Sequence, residues 1–246
     1  MEQQNYQYQD NSVFVQENSV SKKFFANVFL WMFVALSLSG IAAFLMNTPE
    51  ASGLLTNPIT GGRTGLGYVA MFSPLALVLV MGAGFSRLSY GALLGVFILF
   101  SLLLGVSLSY ILHRYTGESV AACFAGAAGI FGVMAFLGYT TNVDLSKFGP
   151  ILMIGVVGLI IASVINMFLN SPTMYYILSF AGVAIFTALT AYDVQKIKRI
   201  GMGIEENGGE IAAADTKKLV LMAALTLYLD FINIFIYLLQ IFGSRK

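Results

Sequence analysis

Charge is scarce in this chain. Only 10% of its 246 residues are Asp, Glu, Lys or Arg, against about 25% in soluble domains. The formal net charge is +1, and no basic run occurs, which removes the electrostatic case for nucleic acid as a partner. Cys123 is the sole cysteine, so no intrachain disulfide forms, and its small apolar neighbours mark it as packing. His113 is the sole histidine and lies beside Arg114 at an expected helix end, as a solvated interfacial group. A zinc-type Cys/His cluster and a phosphate-cradling Gly-Lys loop are both missing, and no tightly bound cofactor is expected. There is no Asn-x-Ser/Thr sequon, which fits a bacterial source. Met1 to Gln16 has no basic start, apolar stretch or small-residue cleavage site, so it does not read as a signal peptide. Residues 1–23 are expected to form a disordered cytoplasmic tail, rich in Gln, Asn and Tyr at its start.

What the chain does have is apolar length. It is 58% hydrophobic with a mean hydropathy of +0.81, the signature of an all-α integral membrane protein. A bilayer core about 30 Å thick needs roughly 20 apolar residues at 1.5 Å each. Seven stretches are long enough: Phe24–Met46, Tyr68–Phe85, Tyr90–Leu112, Ser119–Thr141, Pro150–Leu169, Met174–Asp193 and Leu219–Phe242. The links between them carry turn residues, such as Asn47-Thr48-Pro49, Gly61-Gly62, Thr116-Gly117 and Asn170-Ser171-Pro172. The spans leave no room for a separate soluble domain, so residues 24–246 read as one seven-helix membrane domain.

Orientation follows from the basic residues in the loops. With the N-terminus in the cytoplasm, nine of the 13 lie inside: Lys22, Lys23, Arg87, Lys147, Lys196, Lys198, Arg199, Lys217 and Lys218. Arg63, Arg114, Arg245 and Lys246 fall outside. The expectation is an inner (cell) membrane protein with a cytoplasmic N-terminus and an external C-terminus. In the fourth span, small residues recur four apart (Ala125/Gly129 and Ala128/Gly132), which predicts a close helix–helix contact there.

Two carboxylates stand out against this apolar background. Asp193 follows Thr190-Ala191-Tyr192, and Asp230 lies within Leu227-Tyr228-Leu229-Asp230-Phe231. An acidic group at membrane depth is costly and by default marks an ion path, a proton relay or a paired switch. Asp230 lies twelve residues beyond Lys218, or about 18 Å along a helix, too far to reach the interface. Asp193 is near its span's end and meets Asp230 only if that helix runs on towards Arg199, with Gly201 offering a stop. Helical spacing puts Ala223, Thr226, Asp230, Asn233 and Tyr237 on one polar seam of the last span, and Ser179, Phe186, Thr190 and Asp193 on one of the sixth. Packed together, the two seams hide both carboxylates from lipid.

Two like charges in a poorly hydrated site resist ionising together. One shared proton makes a hydrogen bond that latches two helices. Its loss leaves a repulsion that separation or a bound cation relieves. Calcium takes six to eight oxygen ligands, more than Asp193 and Asp230 supply. Thr190, Asn233, Thr226 and Tyr237 are candidate supporting groups, and only weak calcium binding is expected. Glu118 reads as a helix N-terminal charge, and Asp144 with Lys147 as an ordinary loop.

These residues resemble the Bax inhibitor family, membrane proteins with the transmembrane BAX-inhibitor motif, and especially its bacterial members. The strongest match runs from Phe186-Thr187-Ala188-Leu189 through Thr190-Ala191-Tyr192-Asp193 to Val194-Gln195-Lys196-Ile197, with Val194 where Thr is more usual. Leu227 to Phe235, Phe136-Leu137-Gly138-Tyr139-Thr140-Thr141 and Ser73-Pro74-Leu75 also match, and the similarity extends from about Lys22 to the C-terminus. The resemblance implies a fold in which six helices surround the last, and a calcium leak controlled by a pH-sensitive aspartate pair at the positions of Asp193 and Asp230. Two departures are visible. Some members carry a basic residue inside an early span that engages the pair, whereas here Arg87 falls at the end of the second span. The segment from Gly201 to Asp215 is also longer than in compact members.

The function expected is therefore a pH-sensitive calcium leak channel or cation/proton exchanger, with the bilayer, calcium and protons as partners and no enzymatic activity. The alternative is a non-transporting regulator that associates with a membrane protease or a cell-death pathway, as some relatives do. An intramembrane aspartyl protease is the enzyme option. It requires Gly-x-Gly-Asp where this chain has Leu227-Tyr228-Leu229-Asp230, and a Pro-Ala-Leu element that is missing near the C-terminus.

Overall fold

A computed structural model describes residues 5–57, 62–206 and 213–245, with side chains from residue 20 on except at 49 and 213. Its helices are α1 (Asn5–Leu45), α2 (Pro49–Leu55), α3 (Gly65–Gly84), α4 (Tyr90–Leu112), α5 (Gly117–Thr140), α6 (Gly149–Leu169), α7 (Pro172–Glu206) and α8 (Ala213–Phe242), with a 3₁₀ turn at Leu145–Phe148. Seven of these, all but α2, are long and apolar enough to cross a membrane. Gly61 of the expected Gly61-Gly62 turn, part of the long 201–215 segment, and Lys246 lie outside the described residues.

The helix ends follow local chemistry. Thr64, Ser89 and Thr116 cap α3, α4 and α5, each accepting the backbone N–H three residues on. Such caps satisfy amide groups that a helix start leaves free. Glu118 sits in the first turn of α5 as expected. Asn170, in the left-handed region at φ 49°, closes α6 and lets the chain reverse into α7. At the other end of the chain, α1 begins at Asn5, so the stretch expected as a disordered tail carries helical backbone from there. No Gly or Pro interrupts α1 before Gly40.

The last helix is the hub. Two thirds (67%) of the apolar window of α8 is buried, against 11% for α6. It packs on α1, α4, α5 and α7, while α3 lies mainly against α4 and α6 against α7. This is the arrangement of six helices around the C-terminal one. Leu221, Leu227, Ile234 and Leu239 are fully buried on it, together with Tyr228. Aromatic rings fill the seam with α5: Phe124 and Phe131 meet Phe231 edge-on at 5.1 and 5.7 Å between centroids.

The small-residue contact predicted in α5 is in the wrong place. Gly129 and Gly132 have open space where a side chain would be, and Ala125 and Ala128 are exposed. The buried face is instead Cys123, Ala127, Phe131, Ala135 and Gly138. Small residues occur on every side of this helix, so a spacing of four does not select a face. The close approach is at Gly138, where a Cβ would lie 2.9 Å from Ala191 Cα of α7. Gly201 is likewise no stop: α7 continues through it to Glu206, and its bare backbone packs against Ser21 and Phe24 of α1.

Candidate functional site: a buried aspartate pair

Because α7 runs on past Asp193, it carries that residue into the bundle beside α8. Asp193 is 7% exposed and Asp230 is 3% exposed. The two carboxyl groups lie within hydrogen-bond reach of each other. Asp230 Oδ2 is buried and has no hydrogen-bond partner. A lone pair of this kind is costly to strand. Lys196 is the basic residue that acts on Asp193, and it is exposed.

The candidate supporting groups do not turn to the pair. Thr190 Oγ1 donates to Phe186 O at 2.8 Å and Thr226 Oγ1 to Met222 O at 3.1 Å, each within its own helix. Asn233 Nδ2 donates to Leu229 O at 2.8 Å. Tyr237 lies one turn further on, with its ring 6.0 Å from that of Phe186 and against Gly182. These bonds satisfy polar atoms that lipid would strand. They also leave the pair as a two-carboxylate site. Among the described residues, no group of three or more His, Cys, Asp or Glu side chains comes together to hold a metal. Two carboxyl groups fall short of the six to eight oxygens that calcium takes.

Three contacts around the pair were not legible as site elements. Tyr228, fully buried two residues before Asp230, is 2.6 Å from Ser39 Oγ, which is itself 2.6 Å from Ser101 O. Ser39 has one hydroxyl hydrogen, which goes to a carbonyl, Ser101 O or the more distant Ala35 O at 2.9 Å, so Tyr228 donates to Ser39 and the contact brings α8 against α1 and α4. Gln195, two residues past Asp193, clamps the α5–α6 link: its amide donates to Val143 O at 2.7 Å and its oxygen accepts from Leu145 N at 2.8 Å. Arg199, one turn on, pairs with Asp144 at 2.6 Å and reaches Ser146.

Asp144 is thus no ordinary loop residue. It caps the 3₁₀ turn by accepting from Ser146 N, and the Arg199 hydrogen bond holds its carboxyl down at about 2. Lys218, assigned to a loop by sequence, is also misplaced there. It is buried in the first turns of α8, 3.0 Å from Asp215 and 3.3 Å from Phe85 O at the end of α3. A cation at a helix C-terminus is favoured by the unpaired carbonyls there.

Seven apolar helices, the last of them central and carboxylate-bearing, define a multi-pass membrane protein. The profile of the family described as "Inhibitor of apoptosis-promoting Bax1" (Bax1-I) matches residues 21–246. The chain is 39% identical over 234 residues to "Inner membrane protein YbhL" of Escherichia coli (strain K12), covering 94% of this chain and 96% of that one. It is 37% identical to "Uncharacterized protein RP147" of Rickettsia prowazekii (strain Madrid E), over 92% of this chain and 91% of that one. An uncharacterized protein of Borreliella burgdorferi (strain ATCC 35210 / DSM 4680 / CIP 102532 / B31) is 36% identical, over 94% and 96%. The chain belongs to the Bax inhibitor family.

Proposed function

We propose that the protein is a pH-sensitive leak pathway for calcium, as a channel or a cation/proton exchanger, in which Asp193 and Asp230 form the switch. The observation that carries this reading is the apposition of two buried carboxyl groups from α7 and α8, with one oxygen of Asp230 left unpartnered. A single proton shared between them latches α7 to α8. Its departure leaves two like charges in a site of low polarity, and the repulsion either parts the helices or draws in a cation. Calcium and protons are then cargo, and neither a cofactor nor a catalysed reaction takes part. An inner-membrane location with the N-terminus in the cytoplasm accords with the inner-membrane relative and with the distribution of basic residues.

Calcium entry into liposomes holding the purified protein tests this between about pH 5 and 8, where a buried carboxyl pair exchanges its shared proton. Flux in the wild type changes across that range. In Asp193→Asn or Asp230→Asn it does not, and the double variant adds little to either single one, because the two groups titrate as a unit. Wild-type profiles in both single variants would remove the aspartate switch and favour a regulator that acts by association.

A further inference from the structure

At the opposite end of α8 from its first turn, a cleft of about 570 Å³ opens between α6, α7 and α8. Its chemistry differs from that of the aspartate pair. No Asp or Glu lines it, and its one charged residue is Arg245. The remaining walls carry amides, hydroxyls and phenols, among them Asn166, Ser171, Tyr175, Tyr237 and Gln240. The oxygen of Asn166 is taken by the backbone N–H of Ser171 at 3.1 Å, so its NH₂ group remains for a guest. Arg245 lies beside Tyr115, its backbone bridged to it, and over the ring of Tyr175 at 6.0 Å, and among the described residues it has no carboxylate partner. That contrasts with Arg199 and Lys218, each of which has one. An exposed guanidinium set beside neutral phenols is a ready anion contact.

The position of the cleft selects among anions. It extends from the Asn170-Ser171 turn between α6 and α7 inward to Ser163 on α6 and Asn233 on α8, about 10 Å along a helix, so its mouth is at the helix ends, where headgroups sit. Its mouth adjoins apolar side chains turned outward. Val164 and Phe168 on α6 and Ile177 and Phe180 on α7, the same helices that wall the cleft, are all exposed. Phe180 is four residues from Tyr176 in the cleft wall, one turn along the same face. A polar, cationic recess continued by an apolar rail matches a molecule with a charged head and hydrocarbon tails.

We propose that this cleft is a binding site for an anionic, hydroxyl-bearing phospholipid headgroup of the phosphoglycerol type. Arg245 meets the phosphate, the amides and phenols take the glycerol hydroxyls, and the acyl chains lie along α6 and α7. The assignment uses none of the aspartate chemistry and stands apart from the leak reading.

The test is thermal unfolding of the delipidated full chain in detergent, titrated with phosphatidylglycerol, phosphatidylcholine or inorganic phosphate, with bound lipids counted by native mass spectrometry. Phosphatidylglycerol should raise the melting temperature and be retained, while the other two should do neither. Arg245→Gln should weaken its binding roughly tenfold, the scale of one charge-assisted hydrogen bond, and Arg87→Gln at an exposed arginine elsewhere should leave it unchanged. Ser163→Phe fills the cleft without removing any of these hydrogen bonds and should abolish retention while the lipid-free melting temperature holds. Equal stabilisation by phosphatidylcholine, an equal shift with inorganic phosphate, or undiminished retention in Ser163→Phe would each overturn the assignment.

Discussion

The two halves of α8 solve the problem of polarity in a membrane in opposite ways. Around Asp230 the helix is packed on all sides, and the carboxyl group finds its counterpart in Asp193 rather than in solvent. From Asn233, one turn further on, to Gln240, the same helix lines an open cleft with no acidic residue. One half is buried, acidic and tight; the other is open, uncharged but for Arg245, and rich in amides and phenols. A carboxyl group kept where packing is tightest is costly to leave charged and unpartnered. Amides and phenols at a cleft carry no charge, and each can use one of its groups within the protein, as Asn166 does with Ser171 and Gln240 with Ser179, and still offer another.

The largest expected effect probes the tight half. Gly138→Val should destabilise by about 1–3 kcal/mol or prevent folding, because the new atoms meet the Ala191 backbone, which has nowhere to shift. Gly129→Leu, on the same helix but facing open space, should change little. Chemical or thermal unfolding in detergent separates the two, and equal losses would show that α5 is packed on both faces. Next is Tyr228→Phe, which removes the buried hydroxyl from the Ser39 relay. A loss of about 1 kcal/mol is expected, the scale of one interhelical hydrogen bond in a membrane protein. An unchanged stability would mean that the relay is replaced by other partners.

The smallest effect lies at the rim of the tight half. Arg199 holds the Asp144 carboxyl at about 2, below its ordinary 3.8. A folded-state value below the unfolded one stabilises above the unfolded value and is lost as pH falls towards 2. The melting temperature of the wild type should therefore lose more between about pH 5 and 2 than that of Asp144→Asn. Both partners are about half exposed, so the difference is small and salt-sensitive. Parallel curves would show that the pair contributes nothing.

What the sequence revealed, and what it hid, follows from the same physics. Seven spans were readable because apolar length is a local property, and Asp193 and Asp230 because a charge is conspicuous in an apolar run. The contact of α5 through Gly138 was not readable, since small residues on all its faces make every spacing fit. Lys218 and Arg199 were placed in a loop because the helices that carry them, α7 and α8, extend beyond their apolar stretches. Thr190, Thr226 and Asn233 share the faces expected of them but spend their hydrogen atoms on their own helices. Spacing tells which side a residue is on, not which acceptor it chooses. Tyr228 looked apolar by context, and only the fold shows Ser39 and Ser101 arriving opposite it.

The central claim is that the tight half is a titratable latch, and calcium flux in Asp230→Asn liposomes addresses it most directly. Asn keeps the size of the side chain and can still hydrogen-bond, but it cannot ionise, so packing is preserved while the proton equilibrium is removed. The account predicts a flux that varies between about pH 5 and 8 in the wild type and is level in the variant. A variant whose flux follows the wild-type curve would contradict it.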